Sequence, residues 1–421
     1  MTNAFGRWRL GALALRWRLS ALALAAVATI ATVSPDGAAA RMTAGNWDRP
    51  AQRAVIRVGL MVNLVPHNFG GSQPLTGAQA TGSLTALASL LAGSPSWGPA
   101  TQVAIRPVQA PTVTVAGFDS LLVNVVGLGA VAAHVQAATN AAGLAPPAYF
   151  GTEVVARVLG LRYTHPVGSE QLSLYPTDPI TRAEAAWSLA QLSSSGSWSV
   201  ASARASLASF QLPAMSSAQR TALRIAVSRI GYPYIWGGTT DDTSDGLAHG
   251  GFDCSGFVWR VFKLSGLSWG TQILGRTAAQ MAGEIPRRQR LRYSRLRPGD
   301  LLFFGGAGLH GAATEASIVH EGIYLGDNWV INSDGQGVSV QQLKGGWLGR
   351  EFAWGRRVLP APAAGTTGPS SGPTPPQPGP GGGTPSSGSP QSGSPGGTSQ
   401  SGPGGVASPP PASGGGVGLG P

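Results

Sequence analysis

The chain has 421 residues, a formal net charge of +11, and an unusually large content of glycine (62 residues) and proline (33 residues). This composition excludes one compact core along the whole length and predicts two or three folded units joined to segments without a core. Lysine occurs only at Lys263 and Lys344, so arginine carries the positive charge. A basic surface suits nucleic acid, an anionic membrane or an anionic polymer.

The first forty residues have the pattern of a secretory signal peptide. Arginines precede an apolar run from Leu19 to Val33, and the small residues Ala38 to Ala40 follow it. This is the charged, apolar and small-residue order of a signal peptide, and the apolar run is short for a membrane span. We therefore expect cleavage before Arg41, export of the protein, and no membrane contact after cleavage. An uncleaved N-terminal anchor is the alternative.

Residues 41–140 read as a mostly helical region that contains one copy of a degenerate repeat. The segment Pro74–Leu84 matches Pro179–Leu189 at six of eleven positions. Each copy carries the spacing of a helix-capping box, with threonine followed three residues later by glutamine or glutamate. The pattern predicts that each copy opens an alanine-rich helix.

The second copy, within residues 141–196, resembles an S-layer homology repeat, a helical module that holds proteins to the cell wall. The resemblance rests on Thr181–Ala185 and on the preceding Phe150–Ala156. It implies binding of an anionic cell-wall polymer through the helical repeats, with Arg182 as the candidate contact. The first copy has glycine in place of this arginine.

The single cysteine, Cys254, lies between glycine-rich motifs and an apolar segment. The motifs are Tyr232–Gly238 and Gly251–Phe257, and the apolar residues that follow have helical spacing. The spacing predicts a buried helix with Cys254 in its first turn. Unpaired N–H groups and the positive end of the helix dipole favour a thiolate there. Cys254 is therefore a candidate nucleophile if a histidine reaches it.

Strands are predicted downstream, at residues 301–304, 318–325, 329–332, 338–343 and 352–358. Asp327 and Asn328 form the predicted turn between the second and third of these. The hairpin can place His320 and Asn332 side by side on one face, with the other ring nitrogen turned to Cys254. Cysteine, histidine and asparagine follow in the chain order of papain-like proteases.

Other roles for these residues stay open at this point. Cys254 could be an inert core residue, and His320 could be a structural histidine. His249 or His310 could be the base instead, although both lie in glycine-rich loops. A zinc site from these three histidines and Cys254 has spacings that fit no common ligand pattern. We therefore expect no metal and no other cofactor.

Residues 215–359 resemble the NlpC-type family of secreted cell-wall cysteine endopeptidases. The motifs that carry the resemblance are Pro233–Gly238, Phe252–Phe257, Pro298–Leu301, His320–Tyr324 and Val330–Asn332. The resemblance implies an α+β fold with a papain-like core, in which the cysteine helix packs on an antiparallel sheet. It also implies hydrolysis of peptidoglycan stem peptides, often between D-glutamate and the diamino acid.

Site roles follow from the same resemblance. It makes Cys254 the nucleophile and His320 the base, and it puts Asn332 at the third polar position, where many members have histidine. Tyr234, Asp253 and Ser255 fall at positions that contact substrate. Glu321 stands where the family usually has an apolar residue, and strand alternation points it away from the face of His320.

The whole chain then reads as a secreted, cell-wall-associated protein. Residues 197–214 are the predicted linker, and the uncharged segment 360–421, rich in proline, glycine and serine, is a predicted disordered tail. The expected partners are peptidoglycan stem peptides, not nucleic acid, because the basic run near Tyr293 lacks aromatic partners. Two alternatives remain: a non-catalytic wall-binding protein with a degenerate papain-like domain, and a related Cys–His hydrolase of the muramoyl amide or an acyl bond.

Overall fold

The computed structural model describes residues 47–94, 105–165, 169–240, 250–305 and 313–360. The predicted signal peptide lies outside these ranges, and so does the predicted disordered tail apart from residue 360. The chain divides into one unit at residues 1–362 and another at residues 363–421. The helical region and the cysteine-containing region therefore belong to the same unit.

The N-terminal region is helical, as predicted. Its helices are α1 (Arg49–Arg57), α2 (Gly77–Ala92), α3 (Val115–Val125), α4 (Gly129–Ala141), α5 (Phe150–Val158) and α6 (Arg182–Ser194). Gly127, with φ of 72°, makes the break between α3 and α4. Buried leucine, valine and phenylalanine side chains of these helices form a common core.

Three of the helices begin on a ring of backbone hydrogen bonds. The N–H of Leu75 donates to the carbonyl of Ile180 (2.8 Å), that of Ile180 to Val113 (2.8 Å), and that of Val113 to Leu75 (3.1 Å). The next residue in each case is the threonine that caps the helix: Thr76, Thr114 and Thr181. The repeat thus has a third structural copy, at Thr114. The sequence comparison missed it because the residues around Thr114 share little beyond the threonine.

The second capping box is only half formed. The Thr181 hydroxyl accepts from the N–H of Glu184 (3.2 Å), as predicted. The Glu184 carboxylate, however, pairs with Nε2 of His165 (2.7 Å) instead of returning to Thr181. In the first copy, Thr76 and Gln79 form both bonds of the box.

Arg182 does not have the role predicted for it. Its side chain is buried, Nε donates to the carbonyl of Phe69 (2.9 Å) and Nη2 donates to that of Val62 (2.6 Å). Its guanidinium also stacks 4.6 Å from the centre of the Phe69 ring. The guanidinium therefore holds the α1–α2 loop and is not presented to a polymer.

The predicted linker at residues 197–214 is mostly helical. Helix α7 (Ser197–Ala208) buries Val200, Ala203 and Leu207 on one face. This spacing of three and four residues gives an apolar stripe that packs on the neighbouring helices. The segment predicted as a linker is therefore part of the packed helical region.

The cysteine-containing region is α+β with an antiparallel sheet, as predicted. Its helices are α8 (Ser217–Val227), α9 (Cys254–Trp259), α10 (Ala278–Gly283) and α11 (Gly346–Glu351). Its strands are β1 (Thr239–Thr240), β2 (Gly251–Phe252), β3 (Leu301–Phe304), β4 (His320–Gly326), β5 (Trp329–Asp334), β6 (Gly337–Gln342) and β7 (Phe352–Arg356). The last five strands form one antiparallel sheet in the order β6-β5-β4-β3-β7, and α9 packs on β4.

The helical region packs directly on this sheet. Phe210, just after α7, lies 4.9 Å from the ring of Trp329 on β5. Tyr175 stacks on Tyr232 at 4.3 Å, and Arg157 of α5 donates to the carbonyl of Gly231 (2.8 Å). One hydrophobic core therefore runs through both regions.

Candidate active site

Cys254 is the first residue of α9, and Asp253 is the cap of that helix. The Asp253 carboxylate accepts from the N–H of Gly256 (2.5 Å). A Cβ on Gly256 would lie 1.8 Å from the carbonyl oxygen of Gly238. Glycine at 256 therefore lets the helix pack against the Gly237–Gly238 loop, which fixes the position of the thiol.

The thiol lies against the beginning of β4. Hydrogen bonds from the backbone N–H groups of Glu321 and Ser255 lower its pKa, but burial and the charges of Glu321 and Asp253 outweigh them and raise the pKa to about 12. Burial of the thiol therefore opposes the thiolate that the helix start was expected to favour. The N–H that donates to the sulfur belongs to Glu321, the residue next to His320, so the thiol lies beside the first residues of β4.

His320 begins β4, and Asn332 holds one nitrogen of its ring. Asn332 Nδ2 lies 2.8 Å from His320 Nε2. Burial lowers the pKa of His320 to about 4, and the charge of Asp334 acts in the opposite direction. The ring also contacts Phe304 and Trp347, with centroids 5.8 Å and 5.7 Å away.

The amide of Asn332 can serve the ring in either orientation. Its Nδ2 donates to a bare Nε2, whereas a turned amide places Oδ1 where it accepts from Nε2–H. Oδ1 is buried and has no hydrogen-bond partner among the described residues. The turned form leaves Nδ1 with a free lone pair, which is the state that can take the proton of a thiol.

Arg276 joins the residues predicted to contact substrate. Its guanidinium donates to Asp253 Oδ1 (3.2 Å), to Ser255 Oγ (2.8 Å) and to the carbonyl of Gly237 (2.9 Å). Tyr234 lies nearby, and its backbone pairs with Phe252. Burial, then the charges of Cys254 and Asp253, raise the pKa of its phenol to about 12. Sequence reasoning missed Arg276, which stands alone before the α10 cap and has no local signal.

Comparison with known proteins identifies this region. Residues 231–357 match the model of the NlpC/P60 family. The chain contains an NlpC/P60 domain. The chain is 34% identical over 137 residues to the bifunctional muramidase/DL-endopeptidase CwlT of Bacillus subtilis. This alignment covers 32% of this chain and 36% of that protein. The chain is 36% identical over 135 residues to the probable endopeptidase p60 of Listeria grayi, covering 31% of this chain and 22% of that one. The match thus spans between about a fifth and a little over a third of the length of these relatives.

Solved structures match about the same share of this chain. An NlpC/P60 family protein from Bacillus cereus matches at 27% identity and a TM-score of 0.27, over 36% of this chain and 42% of that one. The NlpC/p60 domain of the peptidoglycan hydrolase SagA matches at 26% identity and a TM-score of 0.24, over 32% of this chain and 97% of that one.

Glu321 is a buried carboxyl group on the opposite face of β4 from His320. Strand pairing sets Glu321 beside Phe303 and His320 beside Phe304, so the two side chains alternate as predicted. Both carboxyl oxygens of Glu321 are buried without a partner among the described residues. Burial, followed by the charge of Asp253, raises the pKa of Glu321 well above its ordinary value. The carboxyl group is therefore harder to ionise than an exposed glutamate.

The remaining alternatives fall partly outside the described residues. His249 and His310 lie there, so the hypotheses that one of them is the base or a zinc ligand stay untested. Within the described ranges, no group of three or more His, Cys, Asp or Glu residues could hold a metal ion. None of the helices described here is both long and apolar enough to span a bilayer.

Proposed function

We propose that the NlpC/P60 domain is a cysteine endopeptidase that hydrolyses amide bonds in peptidoglycan stem peptides. Cys254 is the nucleophile, His320 the base, and Asn332 holds the ring. The observation that carries the proposal is the contact of Asn332 with His320 Nε2 on the strand that abuts the thiol. The names of the relatives, among them a DL-endopeptidase, support the same reaction class.

The reaction starts from a neutral pair. Nδ1 of His320 takes the proton of Cys254 as the sulfur attacks the amide carbonyl, and Asn332 holds the resulting imidazolium. The backbone N–H of Cys254, at the start of α9, donates to the developing oxyanion. The imidazolium then gives its proton to the leaving amine, and water hydrolyses the thioester with His320 again as base.

The bond between D-glutamate and the diamino acid is the proposed site of cleavage. Support comes from the DL-endopeptidase named among the relatives. Asp253, Ser255 and Arg276 form a polar wall in which each charge is paired, and Tyr234 lies beside it. Such a wall suits a stem peptide, which offers both charged groups and backbone hydrogen-bonding groups.

The decisive experiment compares the wild type with Cys254→Ala on isolated cell walls. We expect soluble peptide fragments from the wild type alone, with new D-glutamyl termini by mass analysis. Equal release by both proteins would remove the proposal. New muramoyl ends instead of new peptide ends would assign the hydrolysis to the muramoyl amide bond.

A non-catalytic wall-binding protein is the second candidate function. The raised pKa of Cys254 and the uncharged amide at Asn332 favour it, because both weaken formation of the thiolate–imidazolium pair. In this case both proteins of the same experiment would pellet with the walls and neither would release fragments.

We also propose that the exported protein attaches to an anionic wall polymer through the helical region. With Arg182 buried, the better site is a groove of about 750 Å³ lined by Arg49, Arg53 and His67, and also by Asp48, which accepts from Gln52. Arg49 and Arg53 are exposed one turn apart on α1. The full chain with Arg49→Gln and Arg53→Gln should pellet less with walls that retain the polymer, and equally with stripped walls. Unchanged pelleting on both would remove this site.

A further inference from the structure

A small cavity lies where the helical region meets the NlpC/P60 domain. The helical region lines it with Arg157, Arg162 and His165, and the domain lines it with Tyr234 and Gln336. Its volume is about 40 Å³, which accommodates a small chemical group but not a whole ligand molecule. Neither region could form it alone.

The cavity is lined by buried hydrogen-bond donors that have no partner. Arg157, Arg162 and His165 are each less than 9% exposed. The donors are the Nε–H groups of the two arginines, which have no hydrogen-bond partner among the described residues; Nδ1 of the histidine also has none, and its role depends on the tautomer. Buried donors without acceptors cost free energy, so an acceptor-rich ligand would bind favourably here.

One other nitrogen of each side chain, Nη2 of the arginines and Nε2 of the histidine, is already used, which fixes the side chains in place. Arg157 pairs with Glu153 (3.1 Å), and His165 pairs with Glu184 (2.7 Å). Arg162 donates to Asp119 and to Ser188. The donors are therefore preorganised, and a ligand would not have to pay for ordering them.

The cavity offers more hydrogen-bond donors than its own acceptors use. Arg157 and His165 each face a carboxylate, Glu153 and Glu184 respectively, and Arg162 pairs with Asp119. Burial raises the pKa of Asp119 to about 8, and the charge of Arg162 acts in the opposite direction. The unpartnered Nε–H groups of the two arginines remain, and a carboxylate, small and rich in acceptors, matches them and the volume.

Tyr234 connects the cavity to the site of reaction. It lines the cavity, and its backbone pairs with Phe252, two residues before Cys254. A peptide held at the thiol would therefore pass close to the cavity.

We propose that this cavity is a subsite for a carboxylate group of the stem peptide, built jointly by the helical region and the NlpC/P60 domain. The inference rests on the proposed function, because it assigns the substrate's acidic group to a place beside the thiol. It makes the helical region a determinant of substrate specificity in addition to any part it has in wall attachment.

The test measures binding and not turnover, so that it does not depend on catalysis. The full chain with Cys254→Ala is titrated with two muropeptides that differ only in one stem-peptide carboxylate, free in one and amidated in the other. Each carboxylate of the stem is examined in turn. For one of them we expect the free acid to bind at least about tenfold more tightly, as a charge-assisted hydrogen bond provides.

Arg162→Lys in the same background should reduce this preference to about twofold, because lysine keeps the charge beside Asp119 but lacks the Nε donor. The matched control is Arg204→Lys, an exposed arginine that donates to the carbonyl of Gly127 (2.8 Å). Gly335→Ala is a second variant. Its added methyl would lie 3.4 Å from Thr164 at the cavity wall, an ordinary contact, so this variant should fold and also lose the preference.

The inference would be overturned if the acid and the amide bound with equal affinity at every stem carboxylate. That result would mean that the cavity holds only water. Retention of the preference in both Arg162→Lys and Gly335→Ala would do the same. Failure of the proposed function looks different: the acid would bind preferentially to Cys254→Ala, yet the wild type would release no fragments from walls.

Discussion

Asn332 reaches His320 across a glycine. The two residues lie on adjacent strands, with Asn332 Nδ2 2.8 Å from His320 Nε2, and Gly322 lies between them on β4. A Cβ on Gly322 would lie 2.9 Å from the Cβ of Asn332. Because Gly322 has no side chain, the Asn332 amide can cross β4 at this position and contact the His320 ring.

Asn332→Ala tests the part played by the amide. Without it the ring loses its hydrogen bond at Nε2, so both its orientation and the imidazolium are less well held. We expect kcat on muropeptides to fall by about 10- to 100-fold with little change in KM. Asn332→His, which restores a ring-orienting group, should recover most of the activity. A kcat within twofold of the wild type for Asn332→Ala would show that the amide has no positioning role.

Gly322→Ala tests the geometry from the neighbouring strand. The new methyl would meet the Cβ of Asn332 and Cγ1 of Val330, both at 2.9 Å, so one strand must shift. We expect a loss of about 1–3 kcal/mol in the free energy of unfolding and a fall in kcat at least as large as that of Asn332→Ala. Gly82→Ala, where nothing lies within 4 Å, is the control for the substitution itself. Wild-type kcat in Gly322→Ala would contradict the packing argument.

The pH dependence of alkylation tests the neutral Cys–His pair. The pKa of Cys254 is about 12 and that of His320 about 4, so thiol and neutral imidazole predominate between these values. Iodoacetamide should therefore label the folded protein at pH 7 at least about 100-fold more slowly than a free cysteine, with the rate still rising at pH 10. The chain has one cysteine, so the urea-unfolded protein serves as the control. An inflection between pH 5 and 7 would instead indicate a thiolate–imidazolium pair.

The hairpin that carries His320 and Asn332 was predictable because local chemistry decides where the chain turns. Asp327 and Asn328 both adopt positive φ, 44° and 76°, as the predicted two-residue turn requires. A bulge between Tyr324 and Gly326 then shifts the register of β4 and β5 by one residue, so Asn332 lies opposite Gly322 and on the same face as His320. A regular hairpin from this turn would have placed the two side chains on opposite faces, so residue spacing predicted the hairpin but not the bulge that brings the pair together.

The remainder depends on contacts between distant segments, which spacing does not reveal. Arg276 reaches Asp253 across 23 residues, and Arg157 reaches Gly231 across 74. The ionisation of Cys254 depends on how deeply the helix start is buried, and the effect of burial on the pKa exceeds that of the local backbone hydrogen bonds. Local patterns alone also suggested a linker where α7 packs against the core.

Glu321→Leu tests the cost of a buried carboxyl group without partners. A raised folded pKa means that the folded state retains a proton that the unfolded state loses above about pH 4.5. The wild type therefore loses stability through this group as pH rises from that value, and the leucine variant does not. We expect the variant to gain about 2 kcal/mol in the free energy of unfolding at pH 7, with a smaller gain at pH 4. Denaturant unfolding at both pH values measures this, and lower stability of the variant at pH 7 would mean that Glu321 has a partner.

Truncation tests whether the NlpC/P60 domain needs the helical region to fold. Trp329 is 2% exposed and packs on Phe210, and Tyr232 stacks on Tyr175. A fragment of residues 215–360 exposes both aromatic faces to water. Its free energy of unfolding should be lower than that of the full chain by about 3–5 kcal/mol, with binding of a hydrophobic dye.

A longer fragment, residues 197–360, is the matched control because it restores α7 and Phe210 but not Tyr175. Its stability should lie between those of the short fragment and the full chain, since Gln342 also recovers its bond to the carbonyl of Ser206 (3.2 Å). Equal stability of the short fragment and the full chain, measured by thermal unfolding, would mean that the shared core contributes nothing to the domain. The helical region would then act on the active site only through the lining of the cavity.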